Sequence, residues 1–347
     1  MSEFIKANPI FNPSWNDEVS HRTIIKWNTT GLFQLNATKY SWAKSLYQVM
    51  IWNFWVPEKV SWLWEDWTQF KTALSEDEKR AYKWILSFLI FLDSIQTVNL
   101  PNFNDYITAP EVNLILSIQA YQEAIHSQSY ATILETVVDS KDRDSIYYFW
   151  RDDEHLLERN KFIGWIYQNF IDNPTDENFF AWIIWNFLLE SLYFYNGFAF
   201  FDTLADQTKM VATDRMINYI RRDELTHVTI FANIIKEIKL EFPEIYNEQV
   251  ILDMMKIAVD QEIKWSKHIL WKNILGITYS TIEEYTKWLA NNRLSMLWIN
   301  PLYPEVISNP YKHLDRLQDN NSEKWNFFES TVVNYSQSSS MKWSWDF

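Results

Sequence analysis

The sequence predicts an all-α protein whose core is a bundle of long helices. Apolar residues recur at helical spacing in long stretches from about residue 41, and no alternating strand pattern competes over a comparable length. The chain has 347 residues but only 4 glycines, which argues against a β fold with many glycine turns and against glycine-rich phosphate loops. Prolines between the apolar stretches are expected to mark helix ends: Pro57, Pro101, Pro110, Pro174 and Pro243.

Four apolar segments are expected to form the bundle, at residues 80–100, 111–138, 179–201 and 211–238, and more helix follows over about 248–298.

Segment 179–201 is long enough to cross a membrane. It carries Asn186, Glu190 and Asn196 in mid-span, however, and no basic cluster flanks it. Because a helix that is apolar all round is also typical of the centre of a large bundle, we expect no membrane segment.

Composition excludes several function classes. The chain has 31 basic and 45 acidic side chains, so its formal net charge is −14, which argues against a nucleic-acid-binding surface. It contains no cysteine, which excludes disulfides and thiolate metal sites within the chain. The first residues lack the basic-then-apolar pattern of a signal peptide, so a cytoplasmic protein is expected.

Each of the four apolar segments carries acidic or histidine residues where a core helix needs only apolar ones. Two segments contain Glu-x-x-His, whose side chains share one helix face because residues three apart are neighbours there. The other two each supply one acid. The candidate ligands are Asp93, Glu123, His126, Glu190, Glu224 and His227. This set predicts a dinuclear carboxylate metal site inside a four-helix bundle.

The chemistry of these ligands favours iron or manganese. Two divalent cations bring four positive charges, which four carboxylates balance inside a core of low dielectric constant. Without the cations, four buried acids would repel one another and their pKa values would rise. Oxygen ligands with one imidazole for each metal suit iron and manganese, whereas the absence of thiolates disfavours structural zinc.

A single Glu-x-x-His is weak evidence, because similar spacings occur at Glu18–His21 and at residues 152–155. Both lie in polar surroundings and are interpreted as solvated surface. His268 and His313 have no acid three residues before them and are expected to be structural. The alternative for the two core pairs is a buried pair satisfied by hydrogen bonds. Two such pairs together with two lone acids favour the metal site.

Tyr130 lies one turn beyond His126 on the same helix face, which makes it a candidate one-electron donor to the metals. Such a tyrosine needs a dry and inert lining, which Phe194, Phe198 and Ile220 could supply. The alternative is an ordinary core tyrosine with a satisfied hydroxyl, and spacing alone favours that alternative.

Five stretches together resemble the small, radical-generating subunit of class I ribonucleotide reductase: Phe-Trp-Val-Pro-Glu-Lys-Val at 54–60, Leu-Asp at 92–93, Glu-Ala-Ile-His-Ser-Gln-Ser-Tyr at 123–130, Leu189-Glu190 with Tyr-Asn-Gly-Phe at 195–198, and Arg-Asp-Glu-Leu-Thr-His at 222–227. The resemblance runs from about residue 20 to the C-terminus. It implies a ferritin-like four-helix-bundle core with additional helices.

The resemblance also implies roles. The six candidate ligands match the metal ligands of the family, which uses dinuclear iron or dinuclear manganese, and iron is our default expectation. Tyr130 matches the tyrosine that is oxidised to a stable radical after the reduced centre reacts with oxygen. Trp55 and Asp223 match the path that passes an electron and a proton toward the partner subunit. Tyr335 matches a relay in the tail.

The resemblance further implies two regions and several partners. Residues 1–310 would form the helical domain, and residues 311–347 a tail whose Trp345-Asp346-Phe347 end docks on the large subunit. A homodimer is expected, and the need for a flavodoxin-like activating protein depends on the metal. A ferritin-like di-iron oxidase or iron-binding protein shares the ligand set and is the competing hypothesis.

The count of 20 tryptophans beside 4 glycines is unusual. Trp64, Trp271, Trp298 and Trp343 stand where glycine or another small residue is expected. We hypothesise that part of the excess reflects UGA codons that this sequence renders as tryptophan and the native host reads as glycine. Trp55 is excluded from this set because the motif itself requires it.

Overall fold

The computed structural model describes residues 4–14, 18–270 and 274–314. Over these residues the protein is helical and contains no β-strand, apart from two isolated bridges, Phe4 with Thr175 and Ile25 with Ile107. The prediction of an all-α fold is confirmed. Tyr335 and the predicted docking peptide lie outside the described residues.

The helices follow one another with short connections. In chain order they are α1 Ser41–Trp52, α2 Leu63–Thr72, α3 Glu76–Asn104, α4 Pro110–Val137, α5 Ser140–Asp152, α6 Glu154–Asp172, α7 Asp176–Leu188, α8 Tyr195–Asp206, α9 Val211–Glu241, α10 Glu248–Leu270 and α11 Tyr279–Met296. Short 3₁₀ turns occur at Val19–His21, Pro57–Lys59 and Lys312–Leu314.

The bundle around the candidate site consists of α3, α4, α7 with α8, and α9. Helix α3 packs along α4, and α9 packs against α4, α7 and α8. Helix α3 begins with a capping box in which the Ser75 hydroxyl accepts from the Glu78 N–H and the Glu78 carboxylate accepts from the Ser75 N–H. Helix α4 begins at Pro110, whose missing N–H costs nothing in a first turn.

One of the predicted proline breaks is wrong. Pro101 lies inside α3, which continues to Asn104. Proline lacks an N–H, so one backbone hydrogen bond of the helix is not formed. Only the last turn follows Pro101, and the backbone groups near a helix end already lack partners within the helix. The other four prolines lie outside the helices or at a helix start.

The apolar segment 179–201 is not one regular helix. It divides into α7, a π-helical segment at Leu189–Tyr193, and α8. A π turn contains an extra residue and is frequent at functional sites. The carbonyl of Ser191 accepts a hydrogen bond of 3.1 Å from Arg293 Nε on α11, which satisfies one backbone group in the widened turn. Glu190 therefore projects from a local irregularity of the helix.

Among the described residues, the helix with the length and composition of a membrane span is α3, rather than segment 179–201. Just over half of its apolar window, 56%, is buried inside the protein. It carries the buried carboxylate of Asp93 in the centre of the bundle. These properties are those of a core helix.

Candidate metal centre

The six predicted ligands converge in the centre of the bundle, and each of them is fully buried. Their ligand atoms form two groups, in each of which the atoms lie within 4.8 Å of one another. The first group is Asp93, Glu123, His126 and Glu224. The second group is Glu123, Glu190, Glu224 and His227. Because Glu123 and Glu224 belong to both groups, they could serve as ligands to both cations.

The two Glu-x-x-His pairs face each other across the bundle. His126 Nδ1 on α4 lies 3.5 Å from the Glu123 carboxylate of its own helix and 3.1 Å from the Glu224 carboxylate of α9. His227 Nδ1 on α9 lies 3.1 Å from both the Glu224 and the Glu123 carboxylates. Each helix presents its two side chains to one point because they are three residues apart.

The surroundings of these side chains fit two cations. Neither oxygen of Asp93 nor of Glu123 accepts a hydrogen bond, and His126 Nδ1 makes none. Burial, followed by the charge of Glu123, raises the pKa of both Asp93 and Glu190 well above the usual range. Unpaired carboxylates are costly in a protein interior unless they are neutralised or coordinate metals. The site therefore has both the donors and the negative charge that a dimetal centre requires.

The outer ring nitrogens of both histidines are held by side chains behind the cluster. His126 Nε2 lies 3.3 Å from Asp223 Oδ2, which also accepts a 2.7 Å hydrogen bond from Trp55 Nε1. His227 Nε2 lies 3.0 Å from the side-chain oxygen of Gln122. Since both contacts need a donor at Nε2, the neutral form of each ring has its lone pair at Nδ1, on the side of the cluster, where it can bind a metal ion.

Tyr130 is fully buried, and its hydroxyl makes no hydrogen bond among the described residues. Burial raises the pKa of Tyr130 well above its ordinary value, and the nearby carboxylate of Asp93 raises it further. Phe194, Phe198 and Ile220 are also fully buried, and the two phenylalanine rings stack with 5.8 Å between their centroids. Tyr130 and the three residues predicted to line it are thus all sealed from solvent.

The two sequences with similar spacing lie at the surface. Glu18 and His21 form an exposed pair 3.5 Å apart. His155 is exposed as well. His268 is half-buried and contacts Asp153 Oδ2 at 2.9 Å. Burial inside the bundle is the property that separates the cluster from these pairs.

Three glutamines contact the ligands and were not among the predicted site residues. Gln122 holds His227, and the side-chain nitrogens of Gln96 and Gln119 both donate to Glu190 Oε1. A signal was present in the spacing: Gln119 and Gln122 lie four residues before Glu123 and His126 respectively, on the same faces of α4. Uncharged amides in an apolar helix are easily taken for surface residues, and only burial shows otherwise.

Fold and site together define a helical-bundle protein with a buried carboxylate–histidine centre for two metal ions. The sequence model of the family "Ribonucleotide reductase, small chain" matches residues 32–310. The chain is 40% identical to the ribonucleoside-diphosphate reductase subunit beta of Treponema pallidum, with 98% of each chain covered. It is 39% identical to the subunit of the same name from Halalkalibacterium halodurans, with 90% of this chain and 91% of the relative covered.

Among solved structures, the ribonucleotide reductase R2 subunit from Clostridium botulinum is similar with a TM-score of 0.88 and 46% identity, over 91% of this chain and 99% of that chain. The chain belongs to the ribonucleotide reductase small-chain family. Its activity is that of ribonucleoside-diphosphate reductase, in which the small subunit generates the radical used by a large subunit. The resemblance found in the sequence is confirmed.

Proposed function

We propose that the six buried ligands hold two metal ions and that Tyr130 is the residue oxidised beside them. The observation that carries this proposal is the pair of overlapping ligand groups, which share Glu123 and Glu224. Two metal ions bound there in the reduced state would supply, together with oxygen, the electron acceptor for the tyrosine. Tyr130 gives up one electron and its phenolic proton, and the adjacent carboxylate of Asp93 can accept that proton.

The lining of Tyr130 supports a radical that persists. The tyrosine ring is sealed from solvent, and its hydroxyl meets no hydrogen-bond donor in the described residues. Phe194, Phe198 and Ile220, which we propose as this lining, are buried and carry no group that readily gives up an electron or a proton. An oxidised tyrosine in such a place is protected from reduction by solutes.

We propose that Trp55, Asp223 and His126 form the path by which an electron moves between the site and the outside. The Trp55 indole donates to Asp223, Asp223 contacts His126, and the Trp55 ring stacks on Tyr219 with 5.1 Å between centroids. Trp55 is buried, but its neighbour Phe54 is 47% exposed, so the path ends close to the surface. The continuous hydrogen bonds support coupled transfer of a proton and an electron.

The C-terminal tail is proposed to complete this path. Residues 1–310 would form the metal-binding domain and residues 311–347 a tail that docks on the large subunit, with Tyr335 as the relay and Trp345-Asp346-Phe347 as the docking end. A chain truncated after about residue 330 should keep both metal ions and lose turnover with the large subunit. Turnover by the truncated chain at the full-length rate would contradict the role of the tail.

The ligand set accepts iron and manganese alike, since both bind carboxylate oxygen and imidazole nitrogen. We propose dinuclear iron as the native centre, in a homodimer acting in the cytoplasm. A dimanganese centre would call for a flavodoxin-like activating protein. Metal quantitation with electron paramagnetic resonance (EPR), after reconstitution with Fe(II) or Mn(II) and oxygen, distinguishes the two. A radical signal obtained with iron and oxygen alone supports iron, and its absence contradicts it.

A ferritin-like oxidase or iron-binding protein is the competing function. It would use the same ligands but has no need for a hydrogen-bonded path from Trp55 through Asp223 to His126. The number of iron atoms held by each chain separates the two functions. Two atoms per chain fit the proposed centre, whereas iron far in excess of the ligand groups fits storage.

A further inference from the structure

We propose that Gln96 and Gln119 act as a clamp that makes Glu190 a ligand through one oxygen only. Gln96 Nε2 on α3 donates to Glu190 Oε1 at 2.5 Å, and Gln119 Nε2 on α4 donates to the same oxygen at 2.9 Å. The other oxygen, Oε2, accepts no hydrogen bond and lies 3.6 Å from His227 Nδ1. Two donors on one oxygen leave the second oxygen to the cation.

The orientation of the Gln96 amide is fixed by a second layer of buried side chains. Its oxygen accepts from the Tyr167 hydroxyl at 3.0 Å and from Asn99 Nδ2 at 3.4 Å. Asn99 is held in turn by Trp182 Nε1, which donates to Asn99 Oδ1 at 2.7 Å. Because the oxygen end of Gln96 is engaged by these donors, its NH₂ end must face Glu190.

Gln119 is held differently. It is fully buried on α4, one turn before Glu123, and its side-chain oxygen has no hydrogen-bond partner among the described residues. Only its bond to Glu190 fixes the amide. We therefore expect the braced Gln96 to contribute more to the position of Glu190 than Gln119 does.

The clamp compensates for the irregular backbone that carries Glu190. This residue lies in the π-helical segment Leu189–Tyr193, where the turn is wider than in an α-helix. Donors from α3 and α4, two regular helices, fix the carboxylate independently of that backbone. Asp93 in the other ligand group has no such donor on either oxygen. The inference rests on the proposed dimetal site and assigns these two glutamines as positioning residues.

The test replaces each glutamine by methionine, which keeps the length of the side chain and removes the donors. Mn(II) is the probe, and EPR of free Mn(II) measures binding to the full-length chain. Wild type should bind two ions. In Gln96→Met one of the two ions should bind about tenfold less tightly, and in Gln119→Met the same ion should be weakened by a smaller factor, while the affinity for the other ion is retained in both variants. The infrared carboxylate bands of the Mn(II)-loaded variants should show a smaller antisymmetric–symmetric splitting, as Glu190 binds through both oxygens.

Gln128 is exposed and lies on α4, the helix of Gln119. Gln128→Met is therefore the matched control and should behave as wild type. Two ions bound with wild-type affinity and unchanged infrared bands in both variants would overturn the clamp and leave the metal site intact. Equal weakening of both ions with a lower melting temperature of the metal-free chain would also overturn it, in favour of a structural role. Fewer than two ions in wild type would instead remove the proposed site. If one of the two glutamine variants fails to fold, the result for the other tests the clamp.

A different observation carries a second inference: we propose that positions 62 and 298 are glycine in the protein as its native host makes it. Trp62 has φ of +80° and Trp298 has φ of +59°, both in the left-handed region. A bulky side chain is strained in that region, which glycine adopts freely. The two side chains are 57% and 70% exposed, so burial does not compensate for the strain.

Trp298 occupies the position after a helix that glycine normally takes. Helix α11 ends before Leu297, the Trp298 N–H donates to the Ser295 carbonyl at 3.0 Å, and the Ile299 N–H donates to the Leu294 carbonyl at 3.0 Å. This pair of bonds is the Schellman motif, whose left-handed residue is usually glycine. The Trp298 ring has a cation contact with Lys236, 5.0 Å from its centroid, which is a surface interaction.

The contrast with the core tryptophans supports the same inference. Trp55 and Trp182 are buried, and the indole N–H of each donates a hydrogen bond, so these positions require tryptophan. Trp62 and Trp298 are exposed, so nothing comparable requires tryptophan at these two positions. Together with 20 tryptophans and 4 glycines in the chain, this indicates UGA codons read as glycine by the host.

Two measurements test the inference. Codons 62 and 298 of the gene should be UGA, and peptides of the native protein covering them should lack the mass of an indolylmethyl group at each, while the Trp55 peptide keeps it. In the chain as written, Trp62→Gly and Trp298→Gly should each raise Tm by about 2 °C, whereas Trp165→Gly, at an exposed position inside α6, should lower it. UGG codons or tryptophan masses at 62 and 298 would overturn the inference.

Discussion

The two halves of the metal cluster use the same kinds of ligand but differ in what lies behind them. Around the Asp93 half, the carboxylate accepts no hydrogen bond, Tyr130 is adjacent, and His126 is backed by Asp223. Around the Glu190 half, the side chains that hydrogen-bond the ligands from behind are glutamine amides in the described part of the chain. Gln122 holds His227, and Gln96 and Gln119 hold Glu190.

This difference separates two tasks. A histidine backed by a carboxylate becomes more basic than one backed by a neutral amide, and a proton can be exchanged along the carboxylate. The Asp93 half is therefore suited to moving an electron and a proton between Tyr130, the metals and Trp55. The Glu190 half is suited to fixing ligand geometry. Two predictions test this division, and two further predictions test the charge and the burial of the cluster as a whole.

The largest effect is expected for Tyr130→Phe. The variant should fold, bind two metal ions and lose reductase activity to background, because phenylalanine has no phenolic proton and is much harder to oxidise. Turnover with the large subunit, metal content and the EPR radical signal measure this. Tyr167→Phe, which changes the tyrosine of the other half, should keep the radical signal for each bound metal pair. Full activity of Tyr130→Phe, or loss of the signal in Tyr167→Phe, would end the proposed division.

The next effect concerns the residues behind the histidines. Asp223→Asn should weaken metal binding by about 10-fold to 100-fold and also slow turnover, because it changes both the support of His126 and the path to Trp55. Gln122→Met should weaken binding toward the lower end of that range and leave the path unchanged. Mn(II) titration and steady-state turnover measure both variants. Equal losses of turnover per bound metal would show that the two halves do not differ.

The metal-free protein should become less stable as pH rises. Burial lowers the pKa of His126 and His227, but the surrounding carboxylates raise both well above the ordinary value. Groups with a raised folded-state pKa stabilise fully below the unfolded value, which is about 6.5 for histidine, and this stability is lost as pH rises through the folded-state pKa. Tm of the metal-free chain should fall by several degrees from about pH 6 to about pH 9.

The metal-loaded chain is the control for this pH dependence, since cations take the place of the protons. Its Tm should hold or rise over the same range, because deprotonated ligands bind metal more tightly. A metal-free chain with a rising Tm would contradict the charge assignment of the cluster.

The smallest effect is expected at the surface pair that shares the Glu-x-x-His spacing. Glu18→Gln should change the free energy of unfolding by about 0.5 kcal/mol or less, because the pair is exposed and screened by water. Metal content and turnover should equal those of wild type. Denaturant unfolding and metal analysis measure this, and a loss of bound metal would show that burial is not what distinguishes the central cluster.

Much of the site could be predicted because its chemistry conflicts with its surroundings. Acids and histidines at i and i+3 stand out in apolar helices, and six such residues in four segments leave few interpretations. The aromatic motif around Trp55 and the Asp223-Glu224 sequence allowed the family to be predicted as well. The glutamines of the Glu190 half gave no comparable signal, since amides are common on helix surfaces.

The sequence by itself determined the helical class, the ligand set and the family, because periodicity and misplaced charges are local properties of the chain. Only the tertiary structure decided that Glu190 projects from a π turn, that Pro101 remains inside α3, and that Gln96 and Gln119 meet on one oxygen. These features depend on contacts between segments that lie far apart in the chain. Helical spacing along one segment does not encode such contacts.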